Sequence, residues 1–280
     1  MIPHDFITQW RASAPWISDF QVEQDLVISR ALVALFSDPV IAEALAFRGG
    51  TALYKLHITP AARYSEDIDL VQVRPGPIGD VMEAIRGALD PWLGRPQWKQ
   101  TEGRVTLSYR FGSEDVPPAA LKLKVEINTR EHLAVHGVVC HPFAVESRWF
   151  QGIADVPTFT LDELLGTKLR ALFQRKKGRD LFDLALALQH TDVRAERVVS
   201  VFQHYLAATG DRVTRAVFEE NLAAKRAMPR FIDDVPPLLA HGRIWDAEAA
   251  FALVLGDLVA LLPGEPWQGD GRPEAQRRGQ

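Results

Sequence analysis

The stretch from Arg63 to Val73, RYSEDIDLVQV, decides the fold. Read as a strand, it sends successive side chains to opposite sides, so Ile68 and Leu70 share one face and Asp67 and Asp69 the other. The apolar pair belongs to a core and the acidic pair does not. Two carboxylates this close repel each other. The conflict is relieved by protonating one, by holding the two apart, or by a divalent cation that supplies positive charge. A solvated face on an edge strand is the plain alternative, and the neighbouring sequence weighs against it.

Upstream lies FRGGTALYKL (47 to 56), where an apolar residue leads into Gly49-Gly50 and a short helix opening near Thr51. Two glycines before a helix N-terminus let backbone N–H groups approach a phosphate, and the helix dipole favours an anion there. Gly-Gly-Thr followed at short range by Ser65-x-Asp67-x-Asp69 is more specific than either motif alone. Downstream, LKLKVEINTR (121 to 130) alternates: Leu121, Leu123, Val125 and Ile127 fall on one face, Lys122, Lys124, Glu126 and Asn128 on the other. Paired beside the acidic strand, it would bring Glu126 to Asp67 and Asp69. Three carboxylates together suffice to hold two Mg²⁺ ions through oxygen ligands and substrate phosphates.

The rest of the chain frames these motifs. With 280 residues and 47% hydrophobic content it is long enough for one large or two smaller domains. Its formal charge of -4 argues against a uniformly basic nucleic-acid binder, so a polyanion would meet a local patch. A single cysteine, Cys140, fits a reducing compartment. The first residues, MIPHDFITQW, carry no export signal and no apolar run is long enough to span a membrane, so the expected location is cytoplasmic with no membrane partner. Residues 20 to 46 show helical spacing with a joint at Asp38-Pro39; strands are expected at 67–73, 104–111 and 121–130, with a helix at about 80–90 between the first two. From residue 158 the pattern turns helical. The expected domains are an α+β core over 1–155, a helical domain over 156–263, and a polar Gly- and Pro-rich tail over 264–280 that reads as disordered.

In order along the chain, Gly49-Gly50-Thr51, Arg63-x-Ser65-x-Asp67-Ile68-Asp69-Leu70, then ELLGTKLRAL and GRDLFDL resemble the AbiEii/AbiGii group of nucleotidyltransferase toxins. That group includes the MenT toxins and lies within the DNA polymerase β-like nucleotidyltransferase superfamily. The resemblance covers roughly residues 40 to 190. It implies a mixed sheet flanked by helices, followed by an α-helical C-terminal domain. It also implies transfer of a nucleoside monophosphate from an NTP with Mg²⁺, in a toxin–antitoxin or phage-defence pair with a cognate antitoxin. In characterised relatives the acceptor is an RNA and can be the 3′ end of tRNA. On this resemblance Asp67 and Asp69 are metal ligands, Gly50, Thr51 and Ser65 lie near the triphosphate, and Glu126 is a less sharply defined third carboxylate.

The helical half adds further candidates. Thr160 and Glu163 form a capping box, and the helix after them carries Lys168 inside an apolar stripe, where it either snorkels to solvent or meets a buried anion such as the triphosphate. The resemblance favours the anion. It also makes Asp180 an active-site residue and Asp183 a residue that orients Lys168 or Arg179; helix-dipole complementarity would explain both acids equally. Arg170, Arg175, Lys176, Lys177 and Arg179 form the densest positive cluster, readable as a solvated helix end or as the place where an RNA strand meets neutralising side chains. Arg226 and Arg230 are candidates to extend it. The spacing of His132, His136 and His141 near Cys140 does not suit zinc. The alternatives to nucleotidyl transfer are a phosphotransferase acting on a small-molecule or protein hydroxyl, and a catalytically inactive regulatory module.

Overall fold

In the computed structural model the described residues are 2–114, 116–189 and 193–269. The chain divides into two compact units, Met1–Leu164 with Leu238–Arg243, and Leu165–Pro237 with Ile244–Gln280.

The first unit opens with α1 (His4–Trp10), α2 (Asp19–Phe36) and α3 (Pro39–Ala44). The α2–α3 joint falls where Asp38-Pro39 places it: the Asp38 carboxylate accepts the N–H groups of Val40 and Ile41, and Pro39 sits at the first helical position, where its missing N–H costs nothing. Strand β1 (Leu45–Arg48) runs directly into α4 (Gly49–Ala52) and a π-helical turn, Leu53–His57. Strand β2 (Asp67–Gln72) and helix α5 (Gly79–Leu93) follow, then β3 (Gln97–Thr101), β4 (Arg104–Gly112), β5 (Ala120–Asn128), β6 (Val138–Glu146) and β7 (Gln151–Phe159).

These strands form one mixed sheet in the order β3-β4-β5-β2-β1-β7-β6. The β2–β5 and β1–β7 pairs are parallel and the others antiparallel. Alternation shapes the central strands. Ile68, Leu70, Leu123, Val125, Ile127, Val105 and Leu107 are buried in a core shared with Leu26, Ile28 and Leu32 of α2 and with Ile85 and Leu89 of α5. Their polar alternates, Asp67, Asp69, Lys124, Glu126 and Thr106, stand on the opposite side of the sheet.

The second unit is helical. Helix α6 (Leu161–Gln174) carries the chain into it, followed by α7 (Gly178–Leu188), α8 (Ala195–Ala207), α9 (Arg215–Arg226), α10 (Pro229–Ile232) and α11 (Ala247–Asp257). Gly178 is the first residue of α7 and packs so closely that a methyl group there would come within 1.9 Å of the Phe231 carbonyl oxygen. Of the tail expected over 264–280, residues 270–280 lie outside the described residues; just before them the Trp267 backbone N–H donates to Glu219 Oε2 at 2.6 Å. Among the described residues, no helix is long and apolar enough to cross a membrane.

Candidate active site

Parallel pairing of β2 with β5 puts Asp67 opposite Lys124 and Asp69 opposite Glu126. Asp67, Asp69 and Glu126 therefore converge on one polar sheet face, as alternation within each strand predicts. A lysine stands among them: Lys124 Nζ lies 2.8 Å from Glu126 Oε2 and 3.6 Å from Asp67 Oδ2. Arg104, reaching across from β4, brings its Nε within 3.2 Å of Glu126 Oε1.

Burial holds the Asp69 carboxyl above the usual carboxylate range, and the negative charges of Asp67 and Glu126 add to the rise against the opposing pull of Arg48 and Lys124. Burial works in the other direction on Lys124, but the hydrogen bond to Glu126 and the charges of Asp67, Glu126 and Asp69 together outweigh it, so its ammonium is held above the ordinary lysine value. The cluster is thus short of positive charge at Asp69.

The Gly49-Gly50 turn lies against the same acids. Arg48 pairs with Asp69 in the antiparallel β1–β2 register, and Arg48 Nη1 binds Glu131 Oε2 at 2.7 Å. Gly49 has φ +83°, a conformation that L side chains rarely adopt, and a methyl group there would come within 2.3 Å of Asp69 Oδ2. Only glycine lets that carboxylate and the turn approach so closely. Gly50 packs in the same way on Arg63 and Ser65, whose Nη2 and Oγ would lie 2.7 and 3.0 Å from an added methyl.

Thr51 is buried, with its Oγ1 2.6 Å from the Asp67 carbonyl oxygen and 2.9 Å from Ser65 Oγ. A hydroxyl has one proton and a carbonyl can only accept, so Thr51 donates to Asp67 and accepts from Ser65. This chain of bonds ties the start of the helix to the entry of the acidic strand. Thr51 and Ser65 also line a cavity of about 410 Å³, with Arg63, Lys55, Asp25 and Trp16 among its other walls. Asp25 is anchored there by the indole N–H groups of Trp10 and Trp16, at 2.9 and 3.1 Å, and by Lys55 Nζ at 2.7 Å.

The remaining predicted residues sit in the second unit and form their own network. Lys168 is buried and its Nζ is 2.7 Å from Asp183 Oδ2 and 3.5 Å from Asp180 Oδ1. Its ammonium is ion-paired, not snorkelled. Asp180, fully buried, also receives Arg175 through two bonds of 2.6 and 2.8 Å. Lys177 and Arg179 both approach Asp234, at 3.5 and 3.8 Å, and Arg170 lies over the Tyr205 ring at 4.9 Å. Much of the charge in the 170–179 cluster is therefore matched locally. Of the residues suggested to extend it, Arg226 pairs with Glu248. The histidines also part company: His132 Nδ1 is 2.9 Å from the Gln72 carbonyl, while His141 packs edge-on against His57.

The donor set at the sheet suits a hard divalent cation, because Mg²⁺ takes one or two protein carboxylates and completes its shell with water and substrate phosphates. Asp67 and Asp69, on one face of β2, fit that demand. Among the described residues no three acidic, His or Cys side chains gather closely enough to cage a metal by themselves.

Solved structures of similar fold are known. The fold is similar to that of MenT4, a nucleotidyltransferase toxin from Mycobacterium tuberculosis H37Rv, with a TM-score of 0.64, 18% identity, and 94% of this chain and 91% of that one covered. A candidate nucleotidyltransferase from H. pylori aligns with a TM-score of 0.53 and 18% identity, over 87% of this chain and 96% of that one. No curated protein matches the sequence. The match to a nucleotidyltransferase family over most of the chain makes the protein a nucleotidyltransferase. The profile described as "Nucleotidyl transferase AbiEii toxin, Type IV TA system" matches residues 30–253, and the chain belongs to that family. Membership implies an NTP substrate and an antitoxin partner.

Proposed function

We propose that this toxin transfers a nucleoside monophosphate from an NTP to an RNA acceptor, the 3′ end of tRNA, and thereby blocks translation and growth. The observation that carries the reading is the alignment of Asp67, Asp69 and Glu126 on adjacent strands against the Gly49-Gly50 turn.

Asp67 and Asp69 would hold Mg²⁺, which supplies Lewis-acid charge to the phosphates when bound. The N–H groups at the start of α4 would receive phosphate oxygens, and the nucleotide would enter the cavity that Ser65 and Arg63 border. Glu126, fixed by Lys124 and Arg104, is positioned to accept the proton of an acceptor hydroxyl. Because nucleotidyl transfer asks for little covalent chemistry from the protein, alignment and charge carry it.

The test is to incubate the protein with each NTP labelled at the α phosphate, total RNA and Mg²⁺. Label is expected in small RNAs as added 3′ nucleotides, and omission of Mg²⁺ should abolish it. Transfer of the γ phosphate instead would make the protein a phosphotransferase, and no transfer at all would refute the reading.

A further inference from the structure

Lys124 has no place in the reading above beyond steadying Glu126, yet it stands at the centre of the acidic cluster. Its ammonium lies between two strands, 2.8 Å from a Glu126 oxygen and 3.6 Å from an Asp67 oxygen. The other Glu126 oxygen faces Arg104 at 3.2 Å. Both oxygens of the third carboxylate are thus turned to protein cations, the partly buried Lys124 and the exposed Arg104.

Two-metal sites place their ions about 3.5–4 Å apart, clamping the attacking and leaving oxygens. Asp67 and Asp69, with phosphate oxygens and water, provide for one such ion. A second would need Glu126 as a ligand and would have to share it with an ammonium and a guanidinium. An ammonium offers one charge and three donors in that place, with no coordination shell to complete.

We propose that Lys124 occupies the position of the second metal, so that the site takes one divalent cation, held by Asp67 and Asp69. The inference rests on the nucleotidyltransferase reading and changes its stoichiometry. Lys124 then holds the Glu126 carboxylate in place through the 2.8 Å contact and supplies positive charge where a second ion would otherwise stand.

The experiment uses the full chain with Mn²⁺ and a non-hydrolysable α,β-imido NTP analogue, followed by electron paramagnetic resonance. Wild type is expected to bind one Mn²⁺ per chain and to show an isolated-ion spectrum, as should Lys124→Arg. Lys124→Ala, which opens Glu126 and Asp67, is expected to bind two and to show the spectrum of a coupled pair. Two coupled ions in the wild type would overturn the proposal and leave the metal-dependent reading standing. One ion in Lys124→Ala, with circular dichroism showing it folded, would overturn it likewise. No ion bound by the wild type would overturn both the proposal and the metal reading beneath it.

Discussion

Asp69 is caught between two demands. Its carboxyl is raised by burial and by the charges of Asp67 and Glu126, so the ionised form that would bind a metal is the form the fold disfavours. For an acid whose folded pKa lies above its unfolded one, stability is greater below the folded value and is lost as pH rises through it. Asp69→Asn keeps the volume and removes the charge. It is therefore expected to melt at a higher temperature than wild type at pH 7, with the gain shrinking toward acid pH, while nucleotide transfer falls by about a hundredfold or more. Calorimetry across pH together with the α-label assay checks both halves. Near-normal turnover with Mg²⁺ would remove Asp69 from the metal site. Asp67, Asp69 and Glu126 were legible in the sequence because alternation alone fixes their faces. The contacts of Lys124 were not, because they, like the approach of Glu126 to Asp69, depend on the β2–β5 register, which no local pattern encodes.

Among the elements, α6 and α7 are joined by buried charge. An unpaired lysine in an apolar stripe would be costly, but Lys168 is paired with Asp180 and Asp183. Lys168→Ala takes the ammonium away from two fully buried aspartates, and is expected to cost about 3 kcal/mol in urea unfolding. If Lys168 also serves the reaction, as the family pattern implies, NTP turnover per folded molecule falls about tenfold or more as well. Unchanged turnover per folded molecule would make it purely structural. The strands show the same mixture of legible and hidden features. Strands β2, β4 and β5 announce themselves by alternation. The first three residues of β1, Leu45 to Phe47, are a buried apolar run directly after a helix, which reads as the end of that helix. Strand β3, QWKQT, is exposed along its length and has no apolar face to reveal it. Pro142 and Pro157 lie within β6 and β7, where proline weakens a strand pattern.

At the scale of the whole molecule, net charge hides where charge is buried. Lys225 is buried and donates to the Leu172 and Phe173 carbonyls, capping the end of α6. Burial lowers its pKa to about 8, with Lys176 adding to the fall and Asp180 opposing it. Between pH 8 and the ordinary lysine value the unfolded chain holds a proton that the folded chain has released, so this residue's contribution to stability rises with pH across that window. Urea melts of wild type and Lys225→Met from pH 7 to 10 should shift steadily in favour of wild type, and a constant difference would show ordinary titration. A last feature concerns chain order. Residues 238–243 return from the helical unit to the first, where Leu238 accepts the Tyr64 N–H and the Ala240 N–H donates to Ala62, just ahead of the acidic strand. A ribosome must therefore finish most of the polypeptide before the approach to Asp67 is clasped. A chain of residues 1–237 is expected to show no transfer in the α-label assay, so that half-made copies emerging during translation are harmless and the cell meets the poison only once it is whole.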